Sequence, residues 1–135
     1  MKLKYALPAA LAMAFLLTAS AAAKENKLNR VFVVNYLTVE VEMDQPLTAE
    51  ETDPTRINDP HFQPEFVFNE GIRMTGMPVL QENSYHDNTY RIPVTAMDIG
   101  YIYQISYKGQ KPKTFKVYEG KEQDDRYRDR YGSYF

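Results

Sequence analysis

Acidic side chains are crowded in one stretch of this 135-residue chain, where residues 44–59 contain Asp44, Glu50, Glu51, Asp53 and Asp59. Carboxylate oxygens are the ligands that Ca²⁺ prefers, and a flexible loop can supply several of them. The spacing nevertheless matches no calcium-binding loop, and the stretch lacks the glycine that an EF-hand requires. Capping of one helical turn by Glu51 and solvation of the other acids explain the stretch better. We therefore predict no metal and no other cofactor.

The remaining residues with catalytic potential form no recognisable constellation. His61 and His86 each lie in a polar loop, and neither has a second histidine at ligand spacing. Ser84 and Ser106 lack a patterned histidine and acid, and the chain contains no G-x-S-x-G elbow. We predict that the protein is not an enzyme. One alternative is a small enzyme that modifies the cell wall. It stays open because glycoside cleavage needs two carboxylates at a fixed separation across a cleft, and a sequence does not show that separation.

The end of the chain combines tyrosine with arginine in the segment DDRYRDRYGSYF. Both residue types are favoured at interfaces, through large contact areas and cation–π or bidentate contacts. The segment lacks aliphatic residues, so we predict a disordered tail over 120–135. It is either a solvated tail without a role or a docking segment that orders against a partner. For the second case the candidate partner-binding residues are Arg126, Tyr127, Arg128, Arg130 and Tyr131.

The first 23 residues have the pattern of a secretory signal peptide: two lysines, an apolar run, and small residues leading to Ala21-Ala22-Ala23. An uncleaved membrane anchor is the rival interpretation, since the apolar stretch is almost long enough to span a bilayer. Cleavage leaves 14 basic against 18 acidic residues, a formal charge of −4, which argues against nucleic acid as a partner. The chain has no cysteine, which excludes disulfides, thiolate zinc sites and lipid attachment through cysteine.

The elements that would position these residues are short β-strands. From Leu37 to Met43 apolar and polar residues alternate, which predicts a strand with one buried and one solvated face. Similar runs recur every 8 to 12 residues, separated by glycine and proline turns, and no helical stretch exceeds one turn, so the pattern favours an all-β sandwich of about seven strands. We expect a flexible lead-in over 24–29, the domain over 30–119, and a long connection over 44–64.

Gly100 and Tyr103 are the candidate structural residues of this sandwich. In Greek-key sandwiches a tyrosine often begins the next-to-last strand and bonds through its hydroxyl to the backbone at the corner between the sheets. Tyr103 follows the Gly100 turn and begins the alternating series Tyr103, Ile105, Tyr107. We predict that its ring is buried and its hydroxyl paired.

The segment Gly100-x-x-Tyr103-x-Ile105, preceded by NTYRIPV, resembles the ending of bacterial Ig-like domains found in S-layer and other cell-surface proteins, and YLTVEVEMDQPLTAEE resembles their first long strand. The resemblance implies an Ig-like Greek-key β-sandwich and an adhesion or spacer role without catalysis. We therefore expect a secreted or cell-envelope binding or structural module, monomeric, whose partner is a cell-wall polymer or an envelope protein. The alternative is a secreted protein that binds or inhibits a target protein through the 44–64 loop or the tail.

Overall fold

The computed structural model describes residues 24–82, 84 and 86–118. Two short 3₁₀ helices, Glu50–Thr52 and Pro54–Asn58, lie between the second and third strands. None of the helices in these ranges has the length and apolar character needed to cross a bilayer. The predicted signal peptide (1–23) and the predicted tail (120–135) lie outside the described residues. The seven strands are β1 Leu28–Asn35, β2 Thr38–Met43, β3 Phe66–Phe68, β4 Val79–Leu80, β5 Thr89–Pro93, β6 Ile102–Tyr107 and β7 Lys113–Lys116.

The strands form two antiparallel sheets, ordered β1-β2-β5-β4 and β3-β6-β7. This is the strand order of a constant-type immunoglobulin sandwich, in which the first, second, fifth and fourth strands face the third, sixth and seventh. The predicted all-β Greek-key sandwich is therefore confirmed.

The core lies between the two sheets and follows the predicted alternation. On β2 the side chains of Val39, Val41 and Met43 are buried, and on β6 those of Tyr103 and Ile105 are buried. Aromatic rings from the second sheet fill much of the space between the sheets. Two pairs show this, with ring centroids 5.0 Å apart for Phe66–Tyr107 and 5.9 Å apart for Tyr103–Phe115.

Two residues of the β2 pattern differ from the prediction. Leu37, predicted to face the core, lies in the β1–β2 turn and is 42% exposed. Glu40, predicted to face solvent, is only 2% exposed, and Arg91 of β5 lies 3.3 Å from its carboxylate. The outer face of β2 is thus partly covered, because a neighbouring strand supplies a cation beside Glu40.

The connection between β2 and β3, residues 44–65, is held by side-chain caps. Thr48 and Glu51 form the predicted reciprocal capping box: each side chain accepts a hydrogen bond from the other's backbone N–H. The first 3₁₀ helix ends at Thr52, directly before Asp53-Pro54. Asp53 also caps the second 3₁₀ helix by accepting from the Thr55 N–H at 3.0 Å, and Pro54 occupies its first position, where the missing N–H is not needed.

The hairpin between β6 and β7 reverses at Lys108 and Gly109. Lys108 and Gly109 both have positive φ, 47° and 72°, and the Gln110 N–H donates to the Tyr107 carbonyl at 3.0 Å. This is a type I′ turn, which suits the twist of a hairpin and favours glycine at its second central position. The reversal therefore occupies residues 107–110.

The segment 24–29, predicted as a flexible lead-in, makes specific contacts. Leu28 already belongs to β1 and is buried. The Asn26 side chain donates to the Gln45 carbonyl and accepts from the Gln45 N–H, at 3.0 and 2.8 Å. The Gln110 side-chain amide donates to the Asn26 carbonyl at 2.8 Å. These bonds join the start of the described chain to the beginning of the 44–65 connection and to the β6–β7 turn.

Candidate binding surface

The corner between the two sheets is built around Tyr103. Its ring is 3% exposed, and its hydroxyl accepts a hydrogen bond from the Asp98 N–H at 2.8 Å. Two residues upstream of β6, Gly100 has φ of +89°, a left-handed conformation that favours glycine. The Gly100 N–H donates to the Val117 carbonyl at 2.6 Å, so the connection between β5 and β6 is tied to the end of β7.

Five large apolar side chains are exposed around this corner, and we call this set the apolar end. Their exposed fractions lie between 42% and 64%. Two are in the β1–β2 turn, two are in the β5–β6 connection, and one begins β6. They account for most of the eight large apolar residues exposed in the described part of the chain. The set consists of Tyr36, Leu37, Ile99, Tyr101 and Ile102.

Backbone hydrogen bonds hold the two segments of the apolar end beside each other. The Tyr36 carbonyl accepts from the Met97 N–H at 2.9 Å, and the Leu37 carbonyl accepts from the Val94 N–H at 2.9 Å. The Tyr101 carbonyl accepts from the Val117 N–H at 3.0 Å. The exposed side chains therefore project from fixed backbone rather than from a loose loop, and little conformational entropy is lost when they bind.

The apolar end has the chemistry of a contact surface. Asp98 is the one charged residue between Met97 and Ile102, and tyrosine is enriched at protein interfaces. Contiguous exposed apolar surface on a soluble domain marks a binding site more often than scattered single residues do. Sequence reasoning missed this surface because it interpreted the tyrosines near Gly100 only as residues that stabilise the fold. The available signal was the occurrence of Ile99 and Tyr101 on either side of a turn glycine, where polar residues are usual.

The opposite end of the sandwich carries the 44–65 connection, which two buried phenols anchor. The Leu47 N–H donates to the Tyr90 hydroxyl at 2.9 Å, and the Tyr107 hydroxyl donates to the buried Glu51 carboxylate. The Lys108 ammonium lies 3.6 Å from the same carboxylate. The connection is thereby attached to β5 and to the end of β6.

Glu51 and Tyr107 change each other's proton affinity. Burial acts to raise the pKa of Glu51, but hydrogen bonds from Tyr107 and Thr48 and the charge of Lys108 outweigh it and lower the pKa below its usual value. Burial raises the pKa of Tyr107, and the hydrogen bond to Glu51 and the charge of Glu51 raise it further. The stable arrangement is a neutral phenol donating to an ionised carboxylate.

Arg56 links two parts of the 44–65 connection through hydrogen bonds to Glu50 and Glu65. Arg56 donates to both carboxylate oxygens of Glu65 at 2.9 Å and to the Glu50 carbonyl at 2.8 Å. Its guanidinium also lies 5.2 Å from the centre of the Phe62 ring. The hydrogen bond to Glu65 raises the pKa of Arg56, which therefore stays charged. The tip between the second 3₁₀ helix and β3 remains exposed, at Asn58, Asp59, Pro60 and His61.

Four of the five acidic residues of the 44–59 stretch have a structural partner. Asp44 lies 3.4 Å from the Lys24 ammonium, and Asp59 accepts from the His61 N–H at 2.8 Å. Glu51 and Asp53 act as caps, and hydrogen bonds from the Thr55 N–H and hydroxyl lower the pKa of Asp53. Among residues 24–82, 84 and 86–118, no group of three or more His, Cys, Asp and Glu could hold a metal ion.

The two histidines lie apart from each other in contacts of different kinds. The His61 backbone N–H donates to the Asp59 carboxylate, whereas the His86 ring nitrogen lies 3.7 Å from a Glu42 carboxylate oxygen. The Ser84 hydroxyl is 3.3 Å from that of Thr89 and accepts from the His86 N–H, so it meets the backbone of His86 and not its ring. Ser106 lies on the outer face of β6 opposite Val67.

The candidate partner-binding residues of the tail, Arg126, Tyr127, Arg128, Arg130 and Tyr131, lie outside the described residues. Comparison of the chain with protein-family models, with curated proteins and with solved structures gave no match.

Proposed function

We propose that this protein is a secreted, non-catalytic binding module of the cell envelope and that it contacts an envelope protein through the apolar end. The supporting observation is the placement of Tyr36, Leu37, Ile99, Tyr101 and Ile102 on hydrogen-bonded backbone at one end of the sandwich. The signal-peptide pattern at residues 1–23 supports export. The resemblance to bacterial Ig-like domains supports an adhesion or spacer role.

A protein partner suits this surface better than a wall polymer does. An anionic polymer would be bound by cations, and the exposed side chains of the apolar end are aliphatic or aromatic. A protein with its own apolar patch would cover both surfaces, and aromatic anchors at the centre of such contacts carry much of the binding energy.

The test is retention of the mature chain on sedimented envelope fractions. The apolar-end variant carries Ile99→Ser and Tyr101→Ser. Its matched control carries Val79→Thr and Leu80→Thr, which replace two equally exposed apolar residues on β4. Removal of two anchors, at more than about 1 kcal/mol each, should weaken retention roughly tenfold or more. The control should bind like the wild type.

Two outcomes would overturn the proposal. Retention of the apolar-end variant equal to that of the wild type would show that this surface is not the contact. Wild-type retention that survives protease treatment of the envelope fraction would show that the partner is a polymer and not a protein.

The 44–65 connection is the second candidate surface, for a protein that binds or inhibits a target through this loop. The observation in its favour is the anchoring by Tyr90, Tyr107 and Arg56, which presents the exposed tip in one conformation. Substitution of His61 and Asn58 by alanine would abolish retention in this case and would leave it unchanged in the first.

A further inference from the structure

The three-stranded sheet ends at β3, and in the described part of the chain no strand pairs with the outer edge of β3. On the inner side the Asn69 N–H, just after β3, donates to the Gln104 carbonyl at 3.3 Å. Bonding residues alternate along an antiparallel pair, so Val67 also bonds to β6. The backbone N–H and C=O groups of Phe66 and Phe68 therefore point away from β6, towards the outer edge.

An apolar cavity of about 280 Å³ lies beside this edge, and we call it the β3 cleft. Its walls come from three segments: the end of the 44–65 connection, β3 itself, and residues 72–74. All of its lining residues are apolar except Arg73. Pockets for drug-sized ligands begin at about 300 Å³, so this cleft suits one or two apolar side chains better than a larger molecule.

The wall formed by residues 72–74 is fixed to the other sheet. The Arg73 N–H donates to the Thr95 hydroxyl at 3.1 Å, and the Thr95 N–H donates to the Arg73 carbonyl at 2.9 Å. Met74 forms an antiparallel bridge with Val94. The cleft is thus already formed without a ligand, and little conformational entropy is lost when one binds.

The one cation of the cleft has no anion beside it. Arg73 is exposed, and it forms no ion pair with another residue of the described ranges. The acids on either side of β3 do not neutralise it, because Glu65 is bound by Arg56, and Glu70 forms no ion pair within the same ranges. A ligand with a carboxylate next to an apolar group would match this arrangement.

We propose that the β3 edge binds an extended peptide as an added antiparallel strand, with an apolar side chain in the β3 cleft and a carboxylate beside Arg73. Phe66 and Phe68 supply the backbone donors and acceptors for this strand. Peptide residues opposite them point to the same face of the sheet, which is the core face, and so reach the cleft. The antiparallel direction continues the pairing of β3, β6 and β7.

A second copy of the chain would fit this edge less well than a peptide does. The side chains of its own β3 that would face the cleft are Phe66 and Phe68, and these pack in the core of their own domain. An extended peptide has its side chains available, and peptides that add to a sheet edge use main-chain hydrogen bonds together with pockets for alternate side chains. No residue of the apolar end lines the β3 cleft, so the proposal does not depend on the function proposed above.

The test is titration of ¹⁵N-labelled mature protein with the peptide acetyl-ETLTVT-amide. Antiparallel pairing places its leucine and valine opposite Phe68 and Phe66, and its glutamate beyond Phe68, towards Arg73. We expect saturable chemical-shift changes in residues 66–68 and 72–74. Hydrogen exchange of the Phe66 and Phe68 N–H groups should slow in proportion to the bound fraction, because both gain a partner. The Val67 N–H, already bonded to β6, should not change.

Two substitutions separate the charge contact from the added strand. Arg73→Gln should weaken binding of this peptide about two- to fivefold, which is the contribution of an exposed ion pair. It should leave binding of the neutral peptide acetyl-QTLTVT-amide unchanged. The matched control is Arg30→Gln, an exposed arginine on β1 that does not line the cleft, and it should bind both peptides like the wild type. The peptide acetyl-ETSTST-amide, which has no apolar side chain for the cleft, should not bind measurably.

Several results would overturn the proposal. Absence of saturable changes in residues 66–68 would show that the edge takes no peptide, and binding without slower exchange at Phe66 and Phe68 would contradict an added strand. Equal affinity of the wild type for the acidic and the neutral peptide would refute the contact with Arg73. Protection of the same two N–H groups that needs no peptide and rises with protein concentration would place a second copy on the edge.

Discussion

At the scale of single residues, the fold depends on three buried phenols that serve three different attachments. Tyr103 fixes the corner between the sheets, Tyr90 holds the start of the 44–65 connection, and Tyr107 holds its first helical turn. Each ring fills core space and each hydroxyl satisfies a polar group at the edge of the core. A chain without disulfides thereby ties its connections to its strands.

Tyr90 and Tyr103 each accept a hydrogen bond from a backbone N–H group. Because these two N–H groups differ in exposure, we expect loss of the two hydroxyls to destabilise the fold by different amounts. The Leu47 N–H is buried and would lose its partner in Tyr90→Phe, at a cost of about 1–3 kcal/mol. Asp98 is exposed, so water can replace the phenol in Tyr103→Phe, and the cost should be about 0.5–1.5 kcal/mol. Urea unfolding of both variants measures the two free energies. A larger loss for Tyr103→Phe than for Tyr90→Phe would contradict this ranking.

The Glu51 carboxylate makes the free energy of unfolding depend on pH. Its pKa is lowered in the folded protein below the ordinary value of 4.5. The ionised group therefore contributes stability above that value, and this contribution is lost as the pH falls through the folded pKa. Glu51→Gln should be less stable than wild type near pH 7, and the difference in stability should narrow as the pH falls below 4.5. Thermal unfolding at a series of pH values measures this, with Glu50→Gln, an exposed neighbour, as the control. A gap that is constant with pH would refute the role assigned to the charge.

At the scale of elements, strands were easier to predict than connections. Alternation in β2 and β6 reflects the two faces of a strand, and the buried face was correct at Val39, Val41, Tyr103 and Ile105. The prediction failed at Leu37 because this residue lies in the turn between β1 and β2, and the alternation of residues does not mark where a turn gives way to a strand. Nor did the sequence pattern indicate that the dipeptide Asp53-Pro54, which follows the first helical turn, also begins a second one.

The connection 44–65 should open locally when its arginine loses the bidentate contact. Arg56→Lys keeps the charge but cannot donate to both oxygens of Glu65. Hydrogen exchange in residues 50–65 should accelerate, while the global free energy of unfolding changes by less than about 1 kcal/mol. The control is Lys24→Met, which removes the ion pair of an exposed lysine with Asp44 and should leave exchange in this region unchanged. Unaltered exchange in Arg56→Lys would show that Arg56 does not hold the connection.

At the scale of the whole molecule, strand direction places the two candidate surfaces at opposite ends. β2 begins at the turn that carries Tyr36 and Leu37 and ends where the 44–65 connection starts. β6 likewise begins at Ile102 and ends at Tyr107, beside Glu51. This separation depends on strand order, which the spacing of short strands did not specify. Strand pairing also determines which residues form the apolar end. Tyr36 and Tyr101 are distant in sequence, and hydrogen bonds from Met97 to Tyr36 and from Val94 to Leu37 hold their segments side by side.

Hydrogen–deuterium exchange of the mature protein, alone and bound to envelope fractions, tests the central claim most directly. If the apolar end is the binding surface, exchange should slow in residues 35–38 and 97–102 on binding and should not change in residues 54–62. Protection confined to residues 54–62, with none at the apolar end, would contradict the claim and would identify the 44–65 connection as the contact.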